Sequence, residues 1–186
     1  MDVSFVAPIS NLSFFFNTLQ ANGTLFELRS SSTLTRFARA LTRGHIIGKL
    51  VNGRFRLIVI DNQSTPQEFE VRDTHRLNDG RPHQIQLDLE NNRLIVDGIY
   101  NVSMTKIDAK LRPNRLQLIG DRSLDGWLQD LRINNQPVPV LGTSGARGSF
   151  NVTSYNVRPL IGNPCYPENP CQNKGVCYVT TAHDYL

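Results

Sequence analysis

The sequence predicts an all-β fold, either an antiparallel β-sandwich or a jelly roll. Short segments of alternating apolar and polar residues recur along the chain, and turn residues separate them about every 8 to 12 positions. The periodicity of an amphipathic helix is nearly absent. Because short strands of this kind pair into two packed antiparallel sheets, we expect less than about a tenth of the residues to be helical.

The first third of the chain contains two predicted strands and one ambiguous segment. Phe14 and Phe16 alternate before Thr18, which predicts a half-buried strand, and an Ala-Asn-Gly turn leads into a second strand from Thr24 to Leu28. Residues 30–43 fit either a strand or a short helical turn within a loop, because four apolar residues stand at helical spacing: Leu34, Phe37, Ala38 and Leu41.

Two β-hairpins are predicted in the centre of the chain. The first runs from His45 to Ile60 around an Asn52-Gly53 turn, a strong hairpin signal because both turn positions favour positive φ. The second runs from His83 to Asp97 around Asn91-Asn92, with apolar residues alternating on both arms. A slip of one residue would turn these faces inside out, so the register is well specified.

Further strands are predicted in the last third of the chain, from Arg115 to Ile119 and from Trp127 to Ile133. In the second of these, Leu128 and Leu131 are expected to face the core. A loop rich in small residues then precedes a closing strand near Phe150.

The whole-chain composition fits one main domain of an ordinary globular protein. The chain has 186 residues, of which 39% are hydrophobic and 19% charged, and these values exclude a disordered or collagenous chain. No apolar run approaches the roughly 18 to 20 residues of a membrane helix, so direct membrane insertion is not expected. The start lacks a basic region and is a poor signal peptide, so we interpret the chain as an excised piece.

Sequons and cysteines both predict the secretory pathway, and hence an extracellular or cell-surface location. The five Asn-x-Ser/Thr sequons, which are candidate N-glycosylation sites, are Asn11, Asn22, Asn62, Asn101 and Asn151. Cys165, Cys171 and Cys177 stand in a tail that is too small for its own core, so crosslinks must substitute for burial there. Their C-x5-C-x5-C spacing lacks the paired knuckles of structural zinc ligands.

A basic stretch covers residues 29–56. It holds seven Lys or Arg residues, and no acidic residue occurs between Leu28 and Ile60. Such a stretch either presents a positive field to an anionic partner or is a solvated surface without a specific ligand. If the partner is heparan sulfate, guanidinium groups would bind its sulfates bidentately, and the candidate residues are Arg36, Arg39, Arg43 and Arg54.

Enzymatic and nucleic-acid-binding functions are not expected, because their residue patterns are missing. Glycoside hydrolysis needs two carboxylates that converge on one bond, yet Glu68 and Glu70 flank Phe69 beside a Pro66 loop and are predicted to face solvent. There is no G-x-S-x-G or H-E-x-x-H motif, and the four histidines are scattered. Aromatic residues are not interleaved with the basic residues, as in nucleic-acid-binding surfaces.

Four ordered blocks of the sequence resemble laminin G domains. They are Leu77-Asn-Asp-Gly-Arg-Pro-His83-Gln-Ile-Gln-Leu, Leu94-Ile-Val-Asp-Gly98, Leu116-Gln-Leu-Ile-Gly120 and Leu124-Asp-Gly-Trp-Leu-Gln-Asp-Leu-Arg-Ile-Asn134. The resemblance implies a laminin-G jelly roll, assigned to residues 1–162 with a slightly short first strand, and a binding module that is not an enzyme. It also implies that His83 supports the turn before its strand.

The tail at 163–186 resembles the opening of an EGF-like domain, Asn163-Pro-Cys-Tyr-Pro-Glu-Asn-Pro-Cys-Gln-Asn-Lys-Gly-Val-Cys177, with three of that module's six cysteines. The resemblance implies a disulfide between Cys165 and Cys177 and leaves the partner of Cys171 beyond Leu186. Laminin G and EGF-like tandems are characteristic of Crumbs-like polarity proteins, Fat- and Flamingo-type cadherins, neurexins, slits, agrin and perlecan, so a cell-adhesion or cell-polarity receptor or a matrix protein is the expected parent.

Two positions depart from the family's pattern. Trp127 stands where the family usually has the cysteine of its domain disulfide, and we expect it to fill core volume rather than to contact a ligand. His45 stands where alignment on the turn Gly53 places the family's first calcium-binding Asp. Imidazole is a poor calcium ligand, and Asp61 and Asp97 have no acidic partner at that first position. We therefore expect the calcium site to be lost, and no cofactor.

The expected function is recognition or adhesion outside the cell, as one module of a larger receptor or matrix protein. The partner is an extracellular protein ligand or a neighbouring domain of the same chain, or the module is a structural spacer. The alternative is binding of heparan sulfate or another glycan through the basic stretch 29–56.

Overall fold

The structure is a computed structural model that describes residues 2–5, 7–30, 44–60, 65–71, 75–104, 111, 113–118, 126–138, 145–147 and 150–153. These residues form fourteen β-strands, every strand pair is antiparallel, and none of the described residues is helical. No membrane-spanning helix is found in this part of the chain.

Two sheets contain all of these strands and pack as the predicted antiparallel sandwich. The larger sheet has eight strands in the order β13-β14-β1-β10-β3-β4-β5-β6, and the smaller has six in the order β12-β11-β2-β7-β8-β9. The strand bounds are β1 Asp2–Phe5, β2 Asn11–Thr18, β3 Gly23–Arg29, β4 His45–Val51, β5 Arg54–Ile60, β6 Gln67–Glu70, β7 His83–Asp88, β8 Arg93–Val96, β9 Tyr100–Ser103, β10 Arg115–Leu118, β11 Gly126–Ile133, β12 Gln136–Pro137, β13 Gly145–Arg147 and β14 Phe150–Thr153.

The core lies between the two sheets and is built from every second residue of the strands. In β2, Leu12, Phe14 and Phe16 are buried while the residues between them are half-buried. Phe14 meets Phe26 of the larger sheet edge-on with ring centroids 5.8 Å apart, and Phe26 stacks on Phe55 at 6.3 Å. These rings join the sheets at the centre of the core, where aromatic contacts add to apolar burial.

The hairpin predicted around Asn52-Gly53 is confirmed residue by residue. β4 and β5 pair from His45 opposite Ile60 to Val51 opposite Arg54. Asn52 and Gly53 have φ of 53° and 76°, as the turn signal requires.

The second hairpin has the predicted register and a longer turn. Leu87 stands opposite Leu94, but β7 ends at Asp88 and the turn takes four residues rather than Asn91-Asn92 alone. The Asp88 carboxylate accepts hydrogen bonds from the backbone N–H groups of Glu90 and Asn91 and from the Asn91 side chain. Burial would raise the pKa of Asp88, but these hydrogen bonds hold it below its usual value. The Asp88 side chain thus ends β7 two residues before Glu90 and stabilises the longer turn.

The strands expected at Thr24–Leu28, Arg115–Ile119 and Trp127–Ile133 are present as β3, β10 and β11, with bounds shifted by a residue. Some of the interpretation from sequence concerns residues outside the described ranges. They include residues 31–43 with Arg36, Arg39 and Arg43, the possible calcium ligand Asp61, the sequon residue Asn62, and the tail 163–186 with Cys165, Cys171 and Cys177.

Candidate functional site

One rim of the sandwich is organised by His83, at the start of β7. The residue is only 8% exposed, and its Nδ1 and Nε2 lie 2.9 Å from carboxylate oxygens of Asp97 and Asp79, respectively. Burial alone would lower the pKa of His83, but the hydrogen bonds that its ring donates to the two carboxylates raise it. A carboxylate at each nitrogen favours the doubly protonated ring, so His83 supports the turn, as the family resemblance implied.

Both carboxylates of this rim are also engaged by backbone donors. Asp79 accepts the N–H of Arg81 at 2.8 Å, and Asp97 accepts the N–H of Gln84 at 2.8 Å. Burial would raise the pKa of Asp79, but the hydrogen bonds from Arg81 and His83 lower it. The carboxylates of Asp79 and Asp97 therefore stabilise the turn and are not positioned to act on a substrate. No group of three or more His, Cys, Asp or Glu that could bind a metal occurs among the described residues.

The outer face of the larger sheet carries a charge network between β5 and β6. Arg56 lies 3.4 Å from the Glu68 carboxylate and 3.5 Å from that of Glu70, and Arg54 lies 3.9 Å from Glu70. Glu68 is exposed, as expected, whereas Glu70 is half-buried beside the two arginines. Acidic residues of β6, outside the basic stretch, therefore stand beside Arg54 and Arg56 and reduce the positive charge at this part of the stretch.

At the opposite rim, His45 is bound by an acidic residue that the sequence analysis did not consider. His45 Nδ1 lies 2.8 Å from Oε1 of Glu27, and Arg29 donates to both Glu27 oxygens at 2.7 and 2.6 Å. The hydrogen bonds from Arg29, with a smaller contribution from His45, lower the pKa of Glu27 despite its partial burial. Glu27 is therefore held by Arg29 and by His45, the residue that aligns with the family's first calcium ligand.

The core role expected for Trp127 is wrong. Trp127 stands opposite Asn17, whereas the next residue, Leu128, stands opposite the buried Phe16. Because successive strand residues face opposite sides of a sheet, Trp127 faces outward, and its side chain is half-buried outside the core cluster. Leu128 packs against the core and Leu131 is buried, as expected.

Trp127 belongs to a three-strand surface of mainly uncharged side chains, which we call the amide–aromatic face; Arg132, opposite Ser13, borders it and pairs with Asp130. Phe15 stands between Gln84 on one side and Gln129 on the other, and the Gln86 amide donates to Gln84 at 2.9 Å. The face offers aromatic rings for packing and amides that both donate and accept hydrogen bonds. Its members, all half-buried, are Ser13, Phe15, Asn17, Gln84, Gln86, Trp127 and Gln129.

The described sequons differ in exposure. Asn101 in β9 and Asn22 before β3 are exposed, and the Asn22 side chain accepts a backbone hydrogen bond from the β4–β5 turn at 2.9 Å. Asn11 is half-buried, and Asn151 lies within β14 between two neighbouring strands. Among Asn11, Asn22 and Asn101, the sequon residues whose exposure is described, accessibility therefore favours Asn22 and Asn101.

The fold agrees with comparisons to known proteins. The family model described as Laminin G domain matches residues 16–136, more than half of the chain, so the chain belongs to the laminin G domain family. It is similar to the mouse laminin alpha1 chain domains LG4-5, with a TM-score of 0.52 and 14% identity over 73% of this chain, and it spans 39% of that laminin chain.

Two further solved structures share the sandwich more distantly. A SAP-like pentraxin from Limulus polyphemus matches with a TM-score of 0.40 and 13% identity over 74% of this chain and 71% of its own. A β-porphyranase from Bacteroides plebeius matches with a TM-score of 0.37 and 10% identity over 70% and 64%. At these TM-scores neither match bears on function. No curated protein sequence matches the chain.

Membership in the family defines the class of protein at a coarse level. Laminin G domains are commonly adhesion or binding modules without enzymatic activity. They typically belong to extracellular proteins and bind extracellular ligands.

Proposed function

We propose that this laminin G domain is a recognition module of a larger adhesion receptor or matrix protein and binds an extracellular protein through its amide–aromatic face. The observation that carries the proposal is the outward position of Trp127. A half-buried tryptophan outside the core leaves a large ring surface available to a partner.

The chemistry of the face supports a protein partner. The centres of protein interfaces are depleted of charge and enriched in aromatic residues, and tryptophan is frequent among the residues that dominate binding energy. The amides of Gln84 and Gln86 can pair with an exposed backbone. The outer face of the larger sheet, in contrast, carries arginine–glutamate ion pairs between β5 and β6.

The test is binding of the secreted, bivalent domain to a panel of extracellular domains displayed on cells, including the neighbouring domains of its own parent protein. We expect Trp127→Ala to weaken binding at least tenfold, because truncation of a central interface tryptophan typically costs 2 kcal/mol or more. Ile47→Ala is the matched control, since Ile47 is a half-buried apolar residue on the outer side of the other sheet. Unchanged binding by Trp127→Ala, or no binding by the wild type, would reject the proposal, and the second result would favour a spacer.

Heparan-sulfate binding is a second candidate, favoured by the seven basic residues at 29–56 without an acidic one. The residues that would carry it are Arg36, Arg39, Arg43 and Arg54. The β5–β6 network reduces the positive field of Arg54 and Arg56, so weak binding is expected. Elution from heparin near or below about 0.15 M salt would count against this function, because screening already weakens exposed contacts there.

A pair of variants tests the same candidate more sharply. Glu68→Gln with Glu70→Gln removes the acidic partners of Arg54 and Arg56 and should move heparin elution to higher salt. The four-arginine alanine variant should move it to lower salt. If neither variant shifts the elution, heparin binding is not a function of this stretch.

We also propose that residues 163–186 begin an EGF-like domain with a disulfide between Cys165 and Cys177. Peptide mapping of the secreted parent protein under non-reducing conditions tests this pairing. A Cys165–Cys171 crosslink would contradict it.

A further inference from the structure

β9 is the last strand of the smaller sheet, with β8 as its only neighbour among the described strands. β9 pairs with β8 from Tyr100 opposite Val96 to Ser103 opposite Arg93. A strand with one neighbour presents a row of backbone donors and acceptors, which is a template for pairing with another chain.

The backbone groups at this open edge belong to Asn101 and Ser103. Met104 N–H donates to Asn92 C=O at 2.7 Å, which makes these two residues a hydrogen-bonded pair. In an antiparallel ladder such pairs alternate with pairs that exchange no bonds. Counting back from Met104, Val102 directs its N–H and C=O to β8, whereas Ser103 and Asn101 direct theirs away from it.

The same two residues form a glycosylation sequon, Asn101-Val-Ser103. Their side chains are exposed, while Tyr100 and Val102, the alternate residues of the strand, pack against the core. The acceptor amide and the hydroxyl that defines the sequon therefore share the outer side of the edge strand. An N-linked glycan is bulky and hydrated, and at this position it would stand beside the unpaired backbone groups.

We propose that Asn101 carries an N-linked glycan that covers the open edge of the smaller sheet and prevents two copies of the chain from pairing through β9. The exposed Asn22 lies before β3, an interior strand of the larger sheet, so a glycan there covers no edge.

The glycan would lie away from Trp127, the residue that carries the proposed function. β9 is two strands from β7, three from β2 and four from β11, the strand of Trp127, which is roughly 10 to 19 Å at the usual strand spacing. The inference therefore does not depend on the proposed function, and either can fail without the other.

The test uses the full chain secreted from glycosylating cells, with glycopeptide mass spectrometry at Asn101 and molar mass by light scattering at concentrations up to about 100 µM. We expect Asn101 to be occupied and the wild type to be a monomer. Asn101→Gln and Ser103→Ala each remove the glycan but keep the edge backbone, so both should show a twofold increase in mass. Two variants are used because one could fail to fold, and circular dichroism checks each.

Two controls identify the edge as the site of pairing. Asn101→Lys also removes the glycan but places a charge on the edge strand, and we expect it to stay monomeric because charged side chains oppose edge pairing. Thr24→Ala removes the glycan at Asn22 only and should not change the mass. An unoccupied Asn101, or folded Asn101→Gln and Ser103→Ala variants that remain monomers, would overturn the proposal.

Discussion

At the scale of a single residue, the protonation of His83 makes the stability of one rim depend on pH. Its folded-state pKa is raised by the hydrogen bonds to Asp97 and Asp79, against the effect of burial. The protonated ring therefore stabilises the fold fully below its ordinary pKa of about 6.5, and this stabilisation is lost as pH rises through the folded-state value. We expect the free energy of unfolding to fall over that range.

His83→Gln should remove this slope and cost about 1.5–3 kcal/mol below pH 6, the usual worth of charge-assisted hydrogen bonds to a buried group. Urea denaturation at pH 5.5 and 8 measures both effects. His75→Gln, at an exposed histidine, is the control and should keep the slope of the wild type. A His83→Gln variant with the wild-type pH dependence would show that another group is responsible.

Close packing against an aromatic ring requires glycine at position 48. A Cβ built on it would lie 2.2 Å from the Phe26 ring, and that ring is held between Phe14 and Phe55. Gly48→Ala must displace this aromatic cluster, so we expect a loss of about 1–3 kcal/mol by chemical denaturation. Lys49→Ala, on the outer side of the same strand, should change stability by less than about 0.5 kcal/mol. Equal effects of the two would contradict the packing argument.

The β4–β5 hairpin depends on Gly53 at the scale of the element. Its φ is 76°, and an added Cβ would lie 2.1 Å from the Asn78 side-chain oxygen. Gly53→Ala should cost about 1–2 kcal/mol for the left-handed backbone and more for the clash. Asn52→Gly is expected to be nearly neutral, and Asn78→Ala should recover part of the Gly53→Ala loss. Additive losses in the double variant would rule out the contact.

Elements defined by local chemistry were predictable from sequence. The Asn52-Gly53 hairpin is determined by its own turn, and the register of β7 and β8 by alternating apolar residues. Leu128 and Leu131 both face the core although three positions apart. A register irregularity between Gln129 and Arg132, with Asp130 at φ 48°, accounts for this spacing. No simple pattern in the sequence signals that irregularity.

The candidate surfaces were not predictable in the same way, because they depend on pairing between distant segments. Trp127 faces outward because β11 pairs with β2, more than a hundred positions away, whereas the core role was expected because large aromatic residues dominate cores. The neutralisation of Arg54 and Arg56 likewise depends on β6. Composition within the basic stretch could not indicate either contact.

Calcium should not stabilise the molecule as a whole. Glu27, beside His45, already pairs with Arg29, so the local charges oppose a divalent cation. Melting curves with 2 mM calcium and with chelator should coincide. A stabilisation above about 1 kcal/mol, the size expected from mass action several-fold above Kd, would show that an intact site exists.

The position of β2 has a consequence for synthesis on the ribosome. Phe14 and Phe16 are 0% and 1% exposed in the fold, but their cross-strand partners Ile85 and Leu128 are made roughly 70 and 110 residues later. At a synthesis rate of about 5–20 residues per second, this phenylalanine-rich strand is made roughly 5 to 20 seconds before its last cross-strand neighbour. Until β11 has emerged, the exposed phenylalanines of β2 are therefore a site at which nascent chains can aggregate.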